Sequence, residues 1–69
     1  MKGLTERQNE VLDYLKEFIS INGYQPTVRD IGDKFNISIK AVQDHISALI
    51  RKGYVSKEIG KRRALKILR

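Results

Sequence analysis

Three residues, Asn36, Ile37 and Ser38, separate two segments that both carry helical apolar spacing. Upstream, Val28, Ile31 and Phe35 recur at intervals of three and four; downstream, Ile39, Val42, Ile46, Leu49 and Ile50 do the same. So short a link holds the two helices in contact across a tight turn, the helix-turn-helix arrangement.

Cap signals set the remaining boundaries. Ser38 is the N-cap of the third helix, predicted to run about 14 residues and to close at Gly53. Thr27 caps the second, with Asp30 three residues on, and Pro26 keeps the residue before it extended. Further upstream, Thr5-Glu6-Arg7-Gln8 is a capping-box pattern. It opens a first helix with Val11, Leu12, Leu15, Phe18 and Ile19 on one face, ended by Asn22-Gly23. After Gly53 the period changes. Residues 54–59 and 64–68 alternate roughly two by two around Gly60, Lys61 and Arg62, as a β-hairpin with a basic tip would. The predicted fold is α+β, mainly α: a winged helix-turn-helix of three helices plus a C-terminal β-hairpin, with residues 1–69 as a single domain. A plain three-helix bundle with a frayed tail is the alternative; it leaves the alternation around Leu65 and Ile67 without a reason.

The 69 residues suffice for one modest core. With no cysteine and one histidine, neither a disulfide nor a thiolate or histidine-cluster metal site is expected, and no cofactor is implied. No apolar run nears the ~18 residues of a membrane span. Polar residues begin at once after Met1, so no signal peptide and no membrane partner are expected, and the expected location is the cytoplasm. No carboxylate pair, nucleophile–base pair or phosphate-cradling glycine loop stands out, so no catalytic residue is assigned and an enzyme is not expected. His45 falls at the margin of the third helix's buried face, where packing explains it. Tyr14, Tyr24 and Tyr54 are scattered and read as structural.

Charge is lopsided. From residue 51 onward eight basic residues face one acid, a net +7, while residues 1–50 carry six basic against seven acidic groups, or −1. Such a chain approaches a polyanion by its C-terminal end. On a helical wheel of 100° per residue, Val42, Ile46 and Leu49 define the buried side of the third helix. Lys40, Asp44, Ser47 and Arg51 fall opposite, with Ala41 and Gln43 on the flanks. The N-terminal residues of such a helix reach base edges in the helix-turn-helix geometry. The expected base readers are therefore Ser38, Lys40, Ala41, Gln43 and Asp44. Gln suits adenine, Lys suits guanine, Asp suits cytosine N4 and Ala a thymine methyl. The expected DNA backbone contacts are Thr27, Ser47, Arg51, Lys61, Arg62 and Arg63. Two other readings stay open here: a winged-helix protein-interaction module, and a basic domain that binds nucleic acid without discriminating sequence.

Leu4-Thr5-Glu6-Arg7-Gln8, followed by Gly23-Tyr24-Gln25-Pro26-Thr27-Val28-Arg29-Asp30-Ile31-Gly32, resembles the opening of the LexA (SOS) repressor family. His45-Ile46-Ser47-Ala48-Leu49-Ile50-Arg51-Lys52-Gly53-Tyr54-Val55 and Arg63-Ala64-Leu65-Lys66-Ile67 are similar to its later landmarks, so the resemblance spans about residues 2–68. It implies a winged helix-turn-helix domain that binds double-stranded DNA at palindromic operators and represses DNA-damage-response genes on the bacterial nucleoid. By position, Ser38, Lys40, Ala41, Gln43 and Asp44 match the family's base-reading segment. Lys40 stands where many members carry a polar residue such as Asn, and Gln43 and Asp44 where they carry Glu. The family's second half dimerises and holds a Ser–Lys pair that cleaves a bond in the linker. It has no counterpart in these residues. The chain is thus expected to cover one operator half-site as a monomer, to dimerise on DNA only with that half, and not to self-cleave.

Overall fold

The computed structural model describes residues 3–57 and 65–68. Within them the chain forms helix α1 (Glu6–Asn22), helix α2 (Val28–Phe35), helix α3 (Ile39–Arg51) and strands β1 (Val55–Lys57) and β2 (Leu65–Ile67). The strands pair antiparallel, with Val55 opposite Ile67, Ser56 opposite Lys66 and Lys57 opposite Leu65.

Each helix begins where a hydroxyl can satisfy a free backbone donor. Thr5 Oγ1 accepts from the Gln8 N–H at 3.1 Å, and Gln8 Oε1 accepts from the Thr5 N–H at 3.1 Å. Thr27 and Asp30 close the same reciprocal box at 3.0 and 3.1 Å. Ser38 Oγ accepts from the Ala41 N–H at 3.1 Å. Helix α1 ends on Gly23, whose φ of 80° lies in the left-handed region that glycine enters without steric cost.

The α2–α3 turn is tight because two donors converge on one carbonyl. The N–H groups of Asn36 and Ile37 both reach the Gly32 oxygen. Asn36 takes a φ of 56°, which a short polar side chain tolerates. Gly32 is itself buried. A Cβ there would stand 2.9 Å from the Ile37 carbonyl oxygen, so the absence of a side chain lets the turn close onto the helix.

The core draws on every element except β2. Val11, Leu12 and Leu15 of α1, Ile31 of α2, Val42 and Leu49 of α3, and Val55 of β1 are all buried. Leu65 and Ile67 of β2 pack against this cluster half-buried. An aromatic group covers one flank: Tyr14 meets Phe35 edge-on at 5.8 Å between centroids, and Phe18 meets Tyr24 at 5.7 Å. Lys52 Nζ donates to the Gly3 carbonyl and to Gln8 Oε1, tying the N-terminal segment to the end of α3. The wing has its own tether: the Leu65 N–H donates to Gln25 Oε1, 40 residues earlier in the chain.

The structure departs from the sequence expectation at the start of α3. Ile39, placed in the buried stripe by its spacing, is 45% exposed. Ile37 in the preceding turn packs against the core, while Ile39 does not. Ala48, absent from the predicted stripe, is buried. Helix α3 has 13 residues and gives way to Lys52 before Gly53, which takes a φ of 84°. Strand pairing begins at Val55, one residue later than expected, and the hairpin tip with Lys61, Arg62 and Arg63 lies outside the described residues.

The Gly32 contact gives a competition with a definite sign. Alanine is the better helix former by up to ~1 kcal/mol, but forcing a methyl into a packed site costs ~1–3 kcal/mol. Gly32→Ala is expected to lower stability in urea unfolding; a higher midpoint would show that the turn yields freely.

Candidate nucleic-acid interface

The capped turn and the core contacts together fix the rotation of α3 about its own axis. With Val42 and Leu49 fully buried, Lys40, Gln43, Asp44, Ser47 and Arg51 are all exposed. Of the two residues expected on the flanks, Ala41 is half-buried and Gln43 exposed; His45, expected at the margin of the buried face, is half-buried. Ser38 is exposed at the N-cap. Its oxygen is used to accept from Ala41, which leaves its hydroxyl proton to donate outward.

Lys40 Nζ lies 3.8 Å from Asp44 Oδ1, one turn along the helix, and both side chains are largely exposed. An exposed pair of this kind is worth little and opens easily. It can therefore offer ammonium and carboxylate to separate partners. The carboxylate also limits the attraction of this face for bare phosphate, which favours reading of base edges over charge attraction alone.

Thr27, Gln43 and Ser47 come together across the helix pair. They line one groove, whose apolar wall includes Pro26, Val28, Ile46 and Ile50. On the wing side the same groove is lined by Lys57 and Leu65. Sequence reasoning did not assign Lys57: two residues after the buried Val55, strict alternation would put it on the core side, yet it is exposed. Nor was Gln25 assigned. Its link to Leu65 spans two distant segments and leaves no local pattern. Of the expected backbone contacts, Thr27, Ser47 and Arg51 are exposed, while Lys61, Arg62 and Arg63 fall outside the described residues.

Two helices across a tight turn, the second presenting an exposed polar face, with an antiparallel wing beside it, make a winged helix-turn-helix DNA-binding domain. The LexA DNA binding domain model matches residues 1–64. Similar proteins include the LexA repressors of Thermotoga maritima (49% identical, covering 97% of this chain and 34% of the relative) and Sorangium cellulosum (52% identical, covering 96% and 29%). The LexA repressor of Leptospira biflexa is 41% identical over all of this chain and 34% of its own length. The chain belongs to the LexA DNA binding domain family. It spans about a third of the length of the curated relatives it matches.

Ser38 has a capping role that can be measured apart from any ligand. Ser38→Ala is expected to lower unfolding free energy by ~1 kcal/mol, while Ser38→Asn, an equally good cap, is expected to hold it. Chemical denaturation compares the three proteins; equal stability of all three would remove the cap from the description of α3.

Proposed function

We propose that residues 1–69 act as one sequence-reading domain of a bacterial repressor of the DNA-damage (SOS) response. In this reading it binds one half-site of a palindromic operator, in the cytoplasm on the nucleoid. The observation that carries the reading is the exposed face of α3, opposite the fully buried Val42 and Leu49. Helix α3 enters the major groove, and Ser38, Lys40, Ala41, Gln43 and Asp44 meet base edges. Gln43 takes an adenine edge bidentately, Lys40 a guanine, and Asp44 a cytosine amino group. Thr27, Ser47 and Arg51 contact the phosphates on either side, and the wing adds Lys61, Arg62 and Arg63. The +7 charge of the last 19 residues supports that last assignment.

The 69 residues alone act as a monomer in this reading, and a two-fold pair on the operator needs a dimerising segment beyond them. One half-site then binds weakly, since linking two half-sites raises affinity through effective concentration. Selection of duplexes from a random pool tests the reading. A half-site consensus in the bound fraction is the expected result; retention of every sequence alike would overturn it.

Two substitutions separate reading from attraction. Gln43→Ala is expected to cost ~1–3 kcal/mol against duplexes matched at one base position and nothing at the others. A uniform loss on all duplexes would deny Gln43 a reading role. Arg62→Ala is expected to weaken all duplexes about equally and to flatten the slope of log K against log salt by about one unit. An unchanged slope would take the wing tip off the phosphates.

A further inference from the structure

Ile39 stands at the first position of α3, between the N-cap Ser38 and Lys40. It is the one large apolar side chain of this helix left exposed among the described residues. A lone exposed isoleucine is ordinary on a protein surface; what distinguishes this one is its neighbours. At 100° per residue, Ile39 lies 40° around the helix axis from Gln43 and one turn before it. It thus stands beside Gln43 at the leading end of α3, although its spacing alone puts it in the buried stripe, 60° from Val42. Ile37 in the preceding turn packs against the core, while Ile39 does not.

The major groove offers an isoleucine one apolar partner among base edges, the C5-methyl of thymine. Cytosine at the same place presents an amino donor and no methyl, so an aliphatic side chain tells T·A from C·G without a hydrogen bond. Resting on the reading of α3 as the major-groove helix, we infer that Ile39 is a specificity-determining residue, reading one thymine of the half-site through its methyl group. Its role is distinct from the polar contacts of Lys40, Gln43 and Asp44. It adds a second apolar requirement, beside the thymine-methyl contact expected of Ala41, to a face otherwise built of donors and acceptors.

Deoxyuridine removes the methyl and nothing else. Each thymine of a selected duplex is replaced in turn by deoxyuridine, and binding is measured for the wild-type protein, Ile39→Ala and Ile39→Val. The wild type is expected to lose about fourfold in affinity at the thymine that Ile39 meets, the worth of one buried methyl group, while a thymine met by Ala41 stays sensitive in both Ile39 variants. Ile39→Ala should bind the unmodified duplex correspondingly less well and lose nothing further at that position, while Ile39→Val should retain most of the sensitivity. Thermal unfolding of Ile39→Ala, expected near the wild type because the side chain is half in solvent, excludes a loss through misfolding. If Ile39→Ala keeps the wild-type deoxyuridine response, or if no thymine is sensitive, or if the selected site has none opposite α3, the assignment is overturned. Base discrimination at the Gln43 position would then still stand, and the major-groove reading with it. Loss of all sequence discrimination in the wild type would overturn both.

Discussion

Two side chains on one side of α3, Val42 and Leu49, are fully buried two helical turns apart, and the remainder of the molecule is arranged around that fact. They meet a cluster supplied by Val11, Leu12 and Leu15 of α1, Ile31 of α2 and Val55 of β1. Burying each such side chain is worth ~1.5–3 kcal/mol, a large share of what a domain of this size holds in reserve. Rotating α3 by one residue would swing both into water. The core therefore dictates which residues α3 shows to the outside, and the outward set is a by-product of packing before it is a site.

The other devices hold that helix at a fixed height and angle. The Gly32 carbonyl takes donors from both Asn36 and Ile37, which closes the turn, and the missing side chain at Gly32 lets the turn lie against α2. Ser38 fixes the first residue of α3 by capping it. Lys52 ties its far end to the N-terminal segment. Strand β2 is joined to the connector before α2 through the bond from the Leu65 N–H to Gln25 Oε1. Each tether is modest. Together they place Thr27, Gln43, Ser47 and Lys57 around one groove.

Much of this was legible in the sequence because its causes are local. A threonine or serine just before a helically spaced apolar run marks a helix start wherever it lies, with a reciprocal partner three residues on at Thr5 and Thr27, and all three starts were read correctly at Thr5, Thr27 and Ser38. Gly23 announced the end of α1 for the same reason. The exposed face of α3 followed from angular spacing alone. What escaped depends on neighbours far away in the chain. Ile39 has the right spacing for the core yet stays 45% exposed, while Ile37, in the preceding turn and outside the predicted stripe, packs against the core. The burial of Ala48 depends on neighbours brought by the fold, and no spacing rule marks so small a side chain. The bond from Leu65 to Gln25 joins residues 40 apart, and only the folded chain brings them together.

The central claim is that the outward side of α3 is the surface that meets DNA. Backbone amide shifts recorded by NMR during titration with a selected duplex test it most directly. We expect the largest changes at residues 38–47, with smaller ones at Thr27 and Lys57, and little movement on the acidic solvent face of α1 at Glu10, Asp13 and Glu17. Changes centred on α1, with residues 38–47 left unmoved at saturation, would contradict the claim.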